Sequence, residues 1–190
     1  MYHIGQDKRQ LQSAGLICEG FTRLIQTRKY HGISITLIAQ ESRVGRATFY
    51  RLFDDKADVI VYLMEQVFDG MIQHLSPEST ADDVLRELYD ECLKRRAMFL
   101  ALMEAGMYEY MQTKLAVLVE EKLSFVRAAK RMNTHDWRYF VHVRAGMMFA
   151  ALRVLMTHYP EDSADDIIRT TNSFFGSGHR VPNPKNAEPG

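Results

Sequence analysis

The residues of this chain best suited to chemistry crowd together between positions 43 and 51: Arg43, Arg46, Thr48, Tyr50 and Arg51, with Ala47 among them. Two guanidiniums and two hydroxyls within six positions are poor tools for breaking bonds and good tools for holding anions. A guanidinium at Arg46 or Arg51 can pair in a fork with two acceptors on one edge, such as O6 and N7 of guanine. A small residue such as Ala47 lets a backbone come close to a base or touch a thymine methyl.

Bond-making sets are not found elsewhere. Seven histidines are scattered at 3, 31, 74, 135, 142, 158 and 179 with no H-x-x-x-H or H-E-x-x-H pair, so no metal site is expected. There is no G-x-S-x-G, P-loop or G-x-G-x-x-G; Gly176-Ser177-Gly178 has no strand before it. Paired acids at Asp82-Asp83, Glu120-Glu121 and Asp165-Asp166 read as helix-start or surface charges. No cofactor and no catalytic set follow from the sequence.

Helices must position the basic cluster. Leu11, Ala14, Ile17, Cys18, Phe21, Leu24 and Ile25 recur at three- and four-residue steps and predict a first amphipathic helix. Lys29–Ile33 breaks it, with Gly32 available for a left-handed turn. Ser34 is placed as the N-cap of a short helix that turns Ile35, Ile38 and Ala39 inward. Its helix N-terminus and hydroxyl together suit a phosphate. After Glu41–Gly45 a third short helix runs from Arg46 to Phe53, with Val44, Phe49 and Phe53 as its wedge. Three short helices with a tight turn before the last form a helix-turn-helix pattern, and Arg46, Ala47, Thr48, Tyr50 and Arg51 fall on its open side.

The stretch Ile38-Ala39, Val44-Gly45-Arg46-Ala47-Thr48-Phe49-Tyr50 and Phe53 to Lys56 resembles the DNA-binding signature of TetR/AcrR-family transcriptional regulators. Ile38, Ala39, Val44, Thr48, Phe49, Tyr50, Phe53 and Lys56 match, and Val59 keeps the last apolar position. The resemblance implies that Thr48, Tyr50 and Lys56 contact the DNA backbone and fix register without reading sequence. Packing of Tyr50 and solvation of Lys56 are the competing readings. Two positions depart from the pattern. Arg43 stands at the usual turn glycine, at a cost of roughly 1 kcal/mol if the turn is left-handed. Gly45 stands at the usual capping serine, so Arg46 or Arg43 is left to supply the missing phosphate contact; a purely structural Arg43 is as good a reading.

Beyond Asp54-Asp55, a fourth helix is predicted through Ile72, and further helices near 81–94, 96–105, 107–131, 135–158 and 163–175, with an irregular tail from about 179. The expected fold is all-α, about nine helices: a helix-turn-helix DNA-binding domain over 1–56 and a helical effector-binding and dimerisation domain over 57–178. The body is rich in Met and aromatics, most of it core by helical spacing. The resemblance implies a ligand pocket there, for which Tyr89, Met103, Met107, Tyr108, Met111, Phe140 and Met147 are the candidate lining, and a small, apolar effector suits such a lining. It also implies a homodimer through the last two helices. Val141, Arg144, Ala145, Met148, Leu152, Leu155, Ile167, Ile168, Thr171, Phe174 and Phe175 are the candidate interface; packing of these faces inside one subunit is the other reading.

Bulk properties agree. The formal net charge is zero, with 46% hydrophobic and 25% charged residues, as in an ordinary globular protein. Residues 1–56 hold nine Lys/Arg against five acids, so a +4 module is joined to a −4 remainder. Cys18 and Cys92 lie among apolar neighbours as expected free thiols. No leader and no run of 18 apolar residues is seen, so a cytoplasmic protein without membrane contact is expected. The expected partners are double-stranded DNA with a pseudo-palindromic operator, a second copy of the chain and a small effector, and the resemblance implies repression as the output. A protein of the same fold that has lost operator recognition and acts through a protein partner is the first rival; a helical enzyme using the apolar cavity is the second.

Overall fold

The computed structural model describes residues 1–73, 79–122, 127–128 and 131–175, without the side chains of Ile72, Ala81, Lys122, Phe174 and Phe175. Nine named α-helices run through these residues, and no strand beyond a single bridge between Tyr2 and Phe53. The protein is all-α, as the periodicity predicts. The expected tail lies outside the described residues, as does much of the far end of the helix predicted over 107–131.

α1 (Lys8–Thr27) starts where the Asp7 carboxylate accepts the N–H groups of Arg9 and Gln10. It buries Ala14, Ile17, Cys18, Phe21, Leu24 and Ile25, while Leu11, expected inward, is exposed. A 3₁₀ turn over Tyr30–Gly32 leads to α2 (Ile35–Ser42), capped by the Ser34 hydroxyl, which accepts from Leu37 N–H at 3.1 Å. Gly32 is not left-handed; among the described residues positive φ occurs at Arg43, Gly106 and Arg131. α1 and α2 cross closely at Gly20, where an added Cβ would lie 2.9 Å from Ser42 Cβ and backbone N. α3 (Arg46–Leu52) follows the turn at Arg43–Gly45.

α4 (Lys56–Gln73) crosses the boundary expected at residue 56 and packs on α1 at one side and on α5, α6 and α7 at the other. α5 (Ala81–Lys94) opens on a capping box between Thr80 and Asp83. α6 (Arg96–Glu104) ends before Gly106, whose φ of 71° turns the chain into α7 (Tyr108–Lys122). α8 (Thr134–Thr157) starts at the Asn133 cap, and α9 (Ala164–Phe175) returns along α5, tied to it by Arg86–Asp165 at 2.7 Å and by the Asn172 amide donating to the Asp82 carboxylate. One continuous apolar core joins all nine helices. Cys18 and Cys92 are free and buried within it, and burial pushes both thiols up to about 12.

α8 is long and apolar enough, by length and composition, to cross a membrane. In the fold its inner stripe of Trp137, Val141, Ala145, Met148, Phe149 and Leu152 is buried against the other helices, and the rest of its circumference carries His135, Arg138, His142 and Arg153 among exposed apolar residues.

Candidate nucleic-acid interface

α3 is a short helix held from below. Phe49, Leu52 and Phe53 are fully buried, and the rings of Phe49 and Phe53 pack at 5.7 Å, with Phe53 against Tyr62 of α4 at 5.8 Å. A side chain in this apolar base at every third or fourth position leaves the opposite edge to solvent. That edge carries Arg46, Ala47, Tyr50 and Arg51, all exposed, with Thr48 half-buried beside them. Tyr50 is 47% exposed, its ring edge-on to Phe49 at 5.8 Å, so it packs on the aromatic base and is also open to solvent. Among the described residues, Arg43, Arg46 and Arg51 take part in no ion pair.

The turn before α3 is built against local preference. Arg43 adopts φ 56° and ψ 29°, and its N–H bonds the Gln40 carbonyl at 3.2 Å to close α2. The left-handed turn expected here is present, on a residue with a Cβ. Gly45 precedes α3 in extended conformation with no side-chain cap. The N–H groups at the start of α3 therefore lack the hydroxyl acceptor that a serine would supply. Arg23 braces the pair from α1, bonding the Glu41 carboxylate at 2.6 Å and the Glu41 carbonyl at 3.1 Å.

Lys56 is placed differently from the expectation of a free phosphate contact. Its ammonium donates to the carbonyls of Tyr30 at 2.9 Å and Ile33 at 2.7 Å and lies 4.1 Å from the centre of the Tyr30 ring. The residue ties the first turn of α4 to the 3₁₀ turn before α2, where the Tyr30 carbonyl also accepts the Ile33 N–H at 3.0 Å. Tyr30 N–H in turn donates to the Glu104 carboxylate at the end of α6, at 2.9 Å. Sequence reasoning missed Glu104 and Tyr30; a contact across 74 residues leaves no local trace. Asp58, buried, accepts the N–H groups of Asp54 and Asp55 at 3.0 Å each and so fixes the bend between α3 and α4.

In the body, the candidate pocket residues disperse. A cavity of about 60 Å³, open to solvent on one side, is lined by Val84, Leu85 and Leu88 of α5, by Leu115 and Val119 of α7, and by one face of α8. Of the seven sequence-selected residues only Phe140 lines it. Tyr89 and Met111 are buried in the core, and Tyr108 packs with Phe99 and Phe149 under the Arg153 guanidinium. Met103 and Met107 are half-buried against the core, and Met147 faces a shallow outer hollow with Tyr139 and Val143.

The expected interface stripe is also turned. Val141, Arg144, Ala145 and Met148 line the internal cavity, and Leu152 and Ile168 are buried within one subunit. Leu155, Ile167 and Thr171 border an outer groove between α8 and α9; the side chains of Phe174 and Phe175 lie outside the described residues. The apolar stripe that α8 leaves uncovered is instead Tyr139, Val143 and Val154, which are 65%, 57% and 47% exposed. Ala150 lies exposed between them.

Comparison with known proteins bears on the module that this geometry singles out. The profile described as "Bacterial regulatory proteins, tetR family" matches residues 17–63, which run from the middle of α1 into α4. This stretch of the chain is similar to the DNA-binding part of tetR-family regulators. The HTH-type dhaKLM operon transcriptional activator DhaS of Lactococcus lactis subsp. lactis (strain IL1403) is 29% identical over 65 residues. That match spans 34% of this chain and 35% of the relative, about a third of its length. Among solved structures, FadR of Thermus thermophilus, a TetR-family transcriptional repressor in complex with lauroyl-CoA, superposes with a TM-score of 0.65 at 16% identity, over 90% of this chain and 98% of that one. Lin0861 from Listeria innocua superposes with a TM-score of 0.65 at 16% identity, over 91% and 94%. At such identities the likeness is one of fold: this chain shares the helical architecture of those structures, and the family match lies on the helix-turn-helix.

Proposed function

We propose that this protein is a TetR-family, sequence-specific DNA-binding regulator, most simply a repressor, that works as a homodimer in the cytoplasm. The observation that carries the reading is the edge of α3: two guanidiniums, a tyrosine hydroxyl and an alanine, standing in solvent on an aromatic base and unpaired among the described residues. Charges left without intramolecular partners on a rigid helix fit a polyanion, and the fork geometry of arginine fits base edges. Arg46 and Arg51 are assigned to bases, and Ala47 to close approach. Thr48, Tyr50, Ser34 and Arg43 are assigned to phosphates. Gly45 leaves the start of α3 open for backbone N–H groups to meet a phosphate oxygen. Lys56 acts by holding Tyr30 and Ile33, and so keeps α2 and α3 in register with α4.

Two such helices read an operator only if a dimer sets them about one DNA turn apart, roughly 34–36 Å. The uncovered stripe of Tyr139, Val143, Ala150 and Val154 on α8, with the groove bordered by α9, supplies a self-complementary apolar face for that dimer. A small effector in the cavity between α5, α7 and α8 changes DNA affinity to the extent that it prefers one arrangement of the reading heads over the other. Glu104 gives the route a physical link, since α6 and the 3₁₀ turn before α2 are joined through it.

The test is fluorescence anisotropy of labelled DNA from the region upstream of the protein's own gene, titrated at several salt concentrations. Saturable binding well above that to scrambled DNA supports the reading; equal binding to both supports a same-fold protein that acts through a protein partner.

A further inference from the structure

The cavity of the body is hydrocarbon on every described side but one. Leu85, Leu88, Leu115, Val119 and Met148 form its walls, and the Trp137 indole, fixed by donating to the Glu120 carbonyl at 3.4 Å and stacked on Phe140, forms one end. Arg144 is the single charged side chain among the described lining residues. It is half-buried, and among the described residues it makes no ion pair. The nearby acids are committed elsewhere: Glu120 to Arg138 at 2.9 Å, and Asp136 to the Asn133 amide at 2.7 Å and His135. Burial pushes the Tyr89 phenol up to about 12, and the Arg144 charge pulls the other way. Arg144 also borders the outer hollow with Tyr139, Val143 and Met147, so it stands between the cavity and solvent, where an anion entering the cavity can pair with it.

We propose that the cavity binds an amphipathic monocarboxylate, its carboxylate forked on Arg144 and its hydrocarbon chain laid along Leu88, Leu115 and Val119 toward Trp137. Carboxylate oxygens match the two parallel N–H donors of arginine, and the chain removes the remaining walls from water. A neutral hydrocarbon would fill the walls and leave the cation unmatched; a small hydrophilic acid would match the cation and leave the walls wet. The regulatory meaning of this site rests on the reading of the protein as an effector-controlled regulator, whereas the binding itself is independent of DNA.

The chain has one tryptophan, and it is Trp137, so its fluorescence reports occupancy of the cavity directly. The full-length protein is titrated with decanoate, with decanol and with butyrate, and each titration is repeated by calorimetry. Saturable decanoate binding at least about tenfold tighter than decanol or butyrate is expected, as a charge-assisted pair supplies. Arg144→Gln should weaken decanoate by at least about tenfold and leave decanol within about twofold. Arg144→Lys keeps the charge without the fork and should fall between the two; it carries the test if Arg144→Gln does not fold. Equal affinity for decanoate and decanol, no saturable binding of either, or decanoate binding indifferent to both substitutions would overturn the proposal. Decanoate binding that leaves operator affinity unchanged would uphold the site and contradict the regulatory role assigned to it.

Discussion

At the scale of single residues, the type of a side chain told more about its chemistry than about its partner. Arg46 and Arg51 are exposed on α3 where the sequence pattern sets them, because Phe49 and Phe53 at fixed spacing dictate which edge goes inward. Lys56 follows a different rule. Its position matches the family pattern, but its ammonium sits on the Tyr30 and Ile33 carbonyls, and no local spacing reveals acceptors 23 and 26 residues away. Lys56→Met should therefore lower stability by about 1–3 kcal/mol in urea denaturation, through two lost charged hydrogen bonds and the ring contact. A change of under about 0.3 kcal/mol with weakened DNA binding would return Lys56 to the phosphate backbone. The buried thiols give a second residue-level expectation. Cys18 and Cys92 titrate at about 12 in the fold against 9.0 for a free thiol. The folded state thus holds their protons more tightly, so this contribution to stability is complete below pH 9 and is lost as pH rises toward 12. Alkylation by iodoacetamide at pH 8 should be negligible without denaturant and stoichiometric with it.

Between elements, the decisive features are the close crossing of α1 and α2 and the strained turn into α3. Gly20 meets Ser42 so closely that a methyl group must move one helix. Gly20→Ala should cost about 1–3 kcal/mol in urea unfolding, with secondary structure retained, as overpacking does. At Arg43, replacement by Gly removes the left-handed penalty, and Arg43→Gly should raise stability by about 0.5–1 kcal/mol. If Arg43 also contacts phosphate, the same variant loses DNA affinity at every sequence, and the two effects separate in one protein. Helix positions were legible because amphipathic period and caps are local: the Ser34 cap, the break at Gly106 and the stop before Pro160 all stand close to where the residues imply. Which face of α8 turns inward was not legible. Val141–Ala145–Met148–Leu152 and Tyr139–Val143–Ala150–Val154 are both apolar stripes, and a helix apolar nearly all round carries no period to choose between them. The packing of α5 and α7, set far away in sequence, makes the choice. The same turn of α8 carries Arg144 from the expected interface into the cavity.

For the whole molecule, reading a two-half-site operator requires two chains. Val143→Glu and Val154→Glu place charges on the uncovered stripe of α8 and should shift sedimentation from dimer to monomer, while thermal unfolding of the subunit changes little. Arg138→Glu, on the same helix beside Glu120, is the control that leaves the dimer intact. A Val143→Glu protein that sediments as the parent would move the interface elsewhere. Net charge was silent at this scale: a total of zero hides a basic N-terminal module joined to an acidic body, and only the division of the chain makes the basic end visible.

The most direct test is the specificity of Arg46, measured by anisotropy against a set of single-base variants of the strongest upstream DNA fragment. If Arg46 reads bases, Arg46→Ala loses about 1–3 kcal/mol at one or two base positions and binds variants at those positions no worse than the parent does. A uniform loss across all variants, equal to that of a phosphate-contact substitution such as Thr48→Ala, would contradict it.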